Sequence, residues 1–330
     1  MATLSGAFRR GNAAHSALVQ IAFVLGLGFL VYEAATLALA HMREHHIPTD
    51  FGFWNERAGF DIDPHLIAYS FTSTYGRAFF VGLINTLVVS AVGVVFASLL
   101  GFAIGAARLS TNLVIAKFAG FYIEAFRNVP LLLQILFWYN GVLKALPAPR
   151  ASLAFPGHIF LNDRGLFMPA PTLSPLGLSL PVFHGFNFIG GMKLSPEFVA
   201  LTLSLVLYTA TFIAEIVRAG IAGVPKGQGE AAAALGLNAV QARKFVIVPQ
   251  ALRLIVPPLT SQYLNLFKNS SLAVFIGYPD LVQVFAGTVL NQTGAAVPVI
   301  TVTMAVYLFV SLLGSLAMNL FNRRIAGAVH

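Results

Sequence analysis

Two sets of polar residues recur at helical spacing inside otherwise apolar stretches. Ser204, Tyr208, Thr211 and Glu215 step by four, three and four, so they share one helix face. Gln262, Asn265 and Asn269 do the same, with Lys268 and Ser270 beside them. Inside a membrane such groups are costly, about 2.5–3.5 kcal/mol for a central charge, and they face partners or cavities. The chemistry they offer is recognition. The Glu215 carboxylate suits an ammonium, and Lys268, Asn269 and Ser270 suit a carboxylate. The same groups could instead glue helices together, with Glu215 and Lys268 paired. Asn85 and Thr86 read as packing. Bond-making machinery is missing from the sequence, which has no G-x-x-x-x-G-K-[ST], no H-E-x-x-H and no nucleophile elbow. His41, His45 and His46 lack neighbours that would complete a metal site and read as a solvated interfacial segment. No catalytic residue, metal or cofactor is expected.

The elements that must hold these residues are membrane helices. Of the 330 residues, 57% are hydrophobic and 10% charged, and the mean hydropathy is +0.79. Soluble domains carry about 25% charged residues. The chain therefore reads as an all-α polytopic membrane protein. Its net charge of +8 comes from positives clustered at helix ends and implies no nucleic acid. With no cysteine it has no disulfide framework and no thiol chemistry.

Six spans are predicted. Residues 1–16 are short and basic, and an apolar run follows from Ala17 to Ala40. Ala38-Leu39-Ala40 looks like a signal-peptidase site, but the run is longer than the roughly 7–15 residues of a signal core and long enough to span. An uncleaved first helix is preferred. His41 to Tyr75 is polar and aromatic, an external loop. The second span, Ala78 to Ala107, carries Gly93, Ala97, Gly101 and Gly105 four apart, a stripe that lets helix backbones approach closely. The third runs from Lys117 to Leu146, with Glu124 and Arg127 placed to neutralise each other and Pro130 placed to kink it. Pro147 to Pro196 is rich in Pro, Gly and Ser and reads as a long external loop. The fourth span is Glu197 to Ile221. Pro257 and Pro258 suit the opening of the fifth, which ends near Tyr278. Gly287 to Pro298 reads as a short external turn, and Val299 to Phe321 is the last span.

Between the fourth and fifth spans lies Lys226 to Pro249, KGQGEAAAALGLNAVQARKFVIVP. Arg218, Lys226, Arg243, Lys244 and Arg253 face a single acid, Glu230, in and around it. A loop this positive belongs on the cytoplasmic side, as do Arg9/Arg10, Arg108/Lys117 and Arg323/Arg324, which puts both termini inside. Ala231 to Leu235 favours helix with little side-chain bulk. Gly236 can turn left-handed and stop it. Asn238 can cap a second helix, with Gln241 completing a capping box. Leu235, Ala239, Ala242 and Val246 give that helix an apolar side, and Pro249 falls near its end. The spacing predicts a small, positive helix-elbow-helix knob at the membrane surface.

Glu230-Ala231-Ala232, three residues, Gly236, nine residues, then Val246-Ile247-Val248-Pro249 resembles the EAA loop of bacterial ABC importer permeases, with valines for the usual Ile and Leu. TDFGFWNERAGFDI (49–62), FYIEAFRNVPLLLQILFWYNG, LYTATFIAEIVRAGI and LFKNSSLAVFIGYPDL also resemble segments of the polar and general L-amino-acid branch of that family. The general branch carries two additional hydrophobic spans near 147–196, which this chain lacks. The resemblance covers residues 77–324 and implies the type I importer permease fold.

It divides the chain into 1–76, holding the N-terminal tail, first helix and external loop; 77–324, the transmembrane domain with its external loop 147–196 and coupling loop 222–256; and a tail, 325–330. It implies that Glu230, Ala231, Ala232, Gly236 and Pro249 couple to a separate ATPase. The other implied partners are a second permease subunit (the same chain or a homologue), a periplasmic solute-binding protein and the lipid bilayer. The implied activity is L-amino-acid import across the bacterial inner membrane by alternating access, with no hydrolysis by the chain itself. A zwitterionic amino acid would then meet Tyr208, Thr211, Glu215, Asn265, Lys268, Asn269 and Ser270. The rival reading is an ion-driven secondary transporter. It needs inverted repeats, of which the sequence shows none, and it leaves the elbow unexplained.

Overall fold

Helices form where the apolar runs place them, but two of the crossings are interrupted. The computed structural model describes residues 4–44, 48–173 and 176–327. Of the histidine trio, His45 and His46 lie outside these residues. Helix α1 spans Leu4–Glu44 and α2 Tyr75–Arg108. α3 covers Leu113–Arg127, and α4 covers Leu131–Leu136 before widening into a π turn, Phe137–Leu143. α5 is Pro196–Ala222, α6 Lys226–Ala234, α7 Ala239–Ala242 and α8 Val248–Asn269. α9, Leu290–Thr293, and α10, Ala296–Gly327, complete the chain. Among the described residues, Ala17–Glu44, Tyr75–Arg108, Pro196–Ala222 and Ala296–Leu320 are unbroken and apolar enough to cross a membrane. The third expected crossing is α3 with α4, and the fifth is α8.

The core is α2, α5 and α8. The small-residue stripe of α2 is what brings them together. Gly101 lies against α5 so closely that a Cβ there would stand 2.6 Å from the Ile213 Cβ, and one on Gly105 would meet the Ala214 carbonyl at 2.7 Å. Gly93 faces Leu266 of α8 in the same way. Removing side chains lets backbones approach and dispersion contacts accumulate where no water is present to drive association.

At Pro130 the helix breaks rather than kinks. Proline has no N–H and pushes the residue before it out of the helical region, so α3 ends at Arg127 and Pro130 becomes the residue from which α4 starts. The buried Gln134 amide repairs the break, donating to the Phe126 carbonyl at 2.7 Å and the Val129 carbonyl at 3.0 Å. Pro257 and Pro258 do not open the fifth crossing. They lie inside α8, because the elbow's second helix runs on through a π turn, Arg243–Ile247, into α8 without stopping. Pro249 accordingly sits in the first turn of α8.

Two regions read as loops are structured. The described residues of 147–196 hold eight short strands: β1 Leu153–Phe155, β2 Ile159–Asn162, β3 Gly165–Met168, β4 Ala170–Leu173, β5 Leu176–Ser179, β6 Val182–His184, β7 Asn187–Ile189 and β8 Met192–Leu194. β1-β2-β3-β8 form one antiparallel sheet, and β4-β5 and β6-β7 are hairpins. Phe160 and Phe167 stack on Phe188 and close this unit. The expected turn after Gly287 is instead the end of a helical segment, Val282–Val289 continued by α9, which folds back between α2 and α10. Phe285 from this segment is fully buried against Phe53, Trp54 and Phe79, so the aromatic residues of the first loop cap it. Asn85 and Thr86 belong to the same packing. The Asn85 amide donates to the Pro64 and Pro279 carbonyls at 2.9 Å each, and the Thr86 hydroxyl accepts the Leu281 N–H at 2.9 Å.

Candidate functional site

Ser195 caps α5, accepting the Phe198 N–H, and Pro196 opens its first turn. Tyr139 donates to Glu197 at 2.7 Å and Tyr122 to the Leu207 carbonyl at 2.9 Å, which fixes α5 against the third crossing. On this helix the predicted polar stripe divides. Ser204 and Thr211 are fully buried and bond back to their own helix, to the Ala200 and Tyr208 carbonyls at 2.7 Å each. Such back-bonding uses the hydroxyl's one proton, and full burial keeps its lone pairs from a solute. Tyr208 turns to a cavity of about 270 Å³ between α5 and α8, lined by Tyr208, Thr209, Phe212, Gln262, Asn265 and Asn269.

This cavity unites three of the predicted residues, Tyr208, Asn265 and Asn269. Gln262, from the same stripe, joins them. Two hydroxyls, three amides and two ring faces can hold a polar solute by hydrogen bonds without a net charge. Lys268 is exposed and off its wall, and Ser270 is buried, bonded to the Phe267 carbonyl at 2.7 Å. Thr209 and Phe212 were not legible as site residues from the polar spacing. The signal that could have found Phe212 is its ring pairing with Tyr208 one turn away, centroids 5.0 Å apart.

Glu215 does not pair with Lys268. It sits one turn beyond Phe212 toward the elbow and takes both its oxygens to Arg218, whose Nε donates to each at 3.0 Å. It opens instead on a second cavity of about 290 Å³, shared with Arg108 of α2 and Glu124, Arg127 and Asn128 at the end of α3. The expected Glu124–Arg127 neutralisation is absent among the described residues. The Arg127 guanidinium lies over the Phe212 ring instead, 4.6 Å from its centroid. Among the described residues no group of His, Asp and Glu could hold a metal ion.

At the elbow the local rules hold. Gly236 is left-handed at φ 81°, and α6 closes with the Leu237 N–H on the Ala232 carbonyl at 3.1 Å and the Gly236 N–H on that of Ala233 at 2.9 Å. Asn238 and Gln241 form the full capping box, at 2.9 and 3.0 Å. A Gln250–Gln228 bond of 3.0 Å pins α6 to the start of α8. Ala232 is buried inside the knob, while Glu230 and Ala231 are exposed. Leu235, Val240 and Phe245 stand 82%, 74% and 62% exposed on its surface, more apolar area than a solvated turn presents.

Residues 93–329 match the profile of the binding-protein-dependent transport system inner membrane component. The chain belongs to that family. As a member it is a transport permease rather than an enzyme, which sets aside the ion-driven carrier. YhdX of Escherichia coli (strain K12), named as an amino-acid ABC transporter permease protein, is 47% identical over 94% of this chain and 92% of its own length. The general L-amino acid transport system permease protein AapQ of Rhizobium johnstonii (strain DSM 114642 / LMG 32736 / 3841) is 43% identical over 93% of this permease and 90% of its own length. The YhdX alignment runs over 367 positions, more than the 330 residues present here, so that relative carries insertions this permease lacks. A solved amino acid ABC transporter, crystallised with histidines, superposes with a TM-score of 0.57 at 28% identity, covering 76% of this permease and 95% of that chain.

Proposed function

We propose that this permease imports L-amino acids as the membrane subunit of an ABC importer, coupled through its elbow to a separate ATPase. The observation that carries the proposal is the geometry of the elbow. A left-handed Gly236 and a complete capping box hold a rigid knob with Leu235, Val240 and Phe245 outward and Lys226, Arg243 and Lys244 around them. A rigid apolar knob with a basic rim fits a groove on a soluble partner and transmits its movement without being ordered on contact. The related permeases named for amino-acid transport support the substrate class. The mid-bundle cavity supports it too, because Tyr208, Gln262, Asn265 and Asn269 are neutral groups suited to a zwitterion.

The reading extends to the other partners. A periplasmic binding protein delivers the solute to the face opposite the elbow, and a second permease, identical or homologous, closes the pathway against α5 and α8. The elbow and both termini are cytoplasmic, and the membrane is the bacterial inner membrane. The domain division at residues 77 and 324 belongs to this proposal. Co-expression with a candidate ATPase and binding protein, followed by co-purification and uptake across the acidic, basic, polar and aliphatic amino acids, tests it. Complex formation with uptake of at least one class is expected. An assembled complex that takes up none would overturn the substrate class.

A further inference from the structure

The linings of the two cavities meet at one side-chain contact, Arg127 on Phe212. Tyr208, Phe212 and Glu215 follow one another along α5, so the helix leads from the mid-bundle cavity to the charged one. Phe212 lines the first, Arg127 lines the second, and the two side chains touch, the guanidinium 4.6 Å above the ring. The charged cavity lies at the elbow end of the bundle, between Arg108, the last residue of α2, and Glu215, two turns before α5 ends at Ala222.

Its charges are left open in a particular way. Glu215 is taken by Arg218. Among the described residues neither Arg108 nor Arg127 has a carboxylate within ion-pair distance, and Glu124 has no cation within it. The nearer opposite charge acting on both arginines is that of Glu215, whose oxygens are already held by Arg218. Arg108 spends one N–H on the Ala116 carbonyl, at 3.3 Å, and Arg127 rests on a ring. Guanidiniums bind carboxylates through two parallel hydrogen bonds, and a carboxylate binds an ammonium through a charge-assisted one. Arg108, Glu124 and Arg127 are exposed at the mouth of this cavity, so a solute can reach them from the elbow side. The cavity, about 290 Å³, sits near the lower limit of small-ligand pockets, roughly 300 Å³.

We propose that this cavity is a second station for the transported solute on the elbow side. It binds an α-amino acid with its carboxylate on Arg108 and Arg127 and its ammonium toward Glu124. The proposal rests on the transport reading above, but it adds a separate site with different chemistry. The Arg127–Phe212 contact is the partition between the stations. A carboxylate arriving at Arg127 competes with the ring for the guanidinium, so occupancy of the second station opens the way from the first.

The absence of cysteine from the chain supplies a clean probe. Asn128 lines the charged cavity and can be replaced by a single cysteine. The rate at which a thiol reagent labels Asn128→Cys is measured on the permease, assembled with its ATPase in proteoliposomes, with and without L-glutamate. L-Glutamate at a few times its dissociation constant should slow labelling by about threefold or more, following simple occupancy. Glutarate, which lacks the ammonium, should protect less. Protection should vanish with Arg108→Gln, which leaves Arg127 on its ring, and with Arg127→Gln. The proposal is overturned by unchanged labelling at saturating L-glutamate, by equal protection from glutarate, or by protection that persists in either arginine variant. Uptake in the same vesicles is read independently. Uptake without protection removes the second station and leaves the transport reading standing, whereas failure of uptake for every amino acid removes the transport reading itself.

Discussion

The carboxylate of Asp280 accepts the backbone N–H of Gln283 at 2.8 Å, and so caps the helical segment that folds back between α2 and α10. Asp280 is fully buried and has no cationic partner among the described residues. Tyr307 of α10 donates to its other oxygen at 3.4 Å. The residue therefore ties the returning segment to the last helix. Losing an N-cap of this kind costs about 0.5–2 kcal/mol. Asp280→Ala should lower the thermal unfolding midpoint of the purified permease, while Asp280→Asn, which keeps the capping oxygen, should retain most of the stability. Equal midpoints for parent and Asp280→Ala would show that the cap is idle.

Gly101 and Gly227 make opposite predictions. A Cβ on Gly101 meets Ile213 at 2.6 Å in the tightest part of the bundle, while one on Gly227 in α6 meets nothing within 4 Å. Overpacking a close contact costs about 1–3 kcal/mol. In an exposed helix Gly→Ala gains about 1 kcal/mol of propensity. Gly101→Ala should unfold at lower temperature than the parent, and Gly227→Ala at the same or higher temperature. A Gly101→Ala protein as stable as the parent would mean that α2 and α5 are not in register as described.

Gly236 holds φ 81° with open space around it. The constraint there is backbone conformation alone. A residue with a Cβ pays roughly 1–2 kcal/mol in the left-handed region, and β-branched ones more. Gly236→Val should insert normally, since no crossing changes, yet lose transport-linked ATP hydrolysis in the assembled complex. Hydrolysis at the parental rate, with substrate-dependent stimulation intact, would remove the elbow from the coupling pathway.

Much of this was readable in the sequence because it depends on local rules. Gly236, Asn238 and Gln241 specify their conformations within a few residues, and the stripe from Gly93 to Gly105 announces a close helix contact by composition alone. What stayed hidden depends on where distant segments fold. Glu215 and Arg218 are three apart, the spacing that also joins Glu124 to Arg127 in the sequence; that the first pair forms and the second does not is set by the Phe212 ring that takes Arg127. The strands of 147–196 are only three or four residues long. Runs that short carry too little alternation to stand out among Pro, Gly and Ser. For Phe212 the sequence offers only its four-residue spacing from Tyr208, and the Arg127 guanidinium over its ring is placed by the fold.

The proposed orientation rests on the distribution of positive charge. Arg108 and Lys117, the elbow, and Arg323 and Arg324 all fall at one end of the alternating helices. Reporter fusions after Arg10, Gly236 and Arg324 should report the cytoplasm, and fusions at Gly52 and Gly165 the opposite side. Gly165 is the more demanding of the two, because it sits inside the β3 hairpin and its fusion tests whether the whole strand-rich unit is external. A cytoplasmic signal there, or an external one at Gly236, would invert the assignment and detach the elbow from any ATPase.

The polar stripes give the sharpest test of which residues touch solute. Asn269 lines the cavity between α5 and α8, whereas Thr211 spends its hydroxyl on the Tyr208 carbonyl at 2.7 Å, away from that cavity. Both belong to the same kind of helical repeat in the sequence, so only geometry separates them. If Asn269 bonds a charged end of the amino acid, its loss removes an interaction of roughly 1.5–3 kcal/mol. At 1.4 kcal/mol per factor of ten, Asn269→Ala should weaken uptake about tenfold to a hundredfold. Asn265→Ala should act in the same direction. Thr211→Val removes a hydroxyl already satisfied within its helix and should leave uptake within about twofold, with any effect read as a small change in stability. Assembly with the ATPase and binding protein is measured on each variant, so that a folding defect is not mistaken for a lost contact. Should Thr211→Val abolish uptake in a complex that assembles normally while Asn269→Ala transports as the parent does, the solute path would run on the other side of α5, and the cavity between α5 and α8 would be a packing defect.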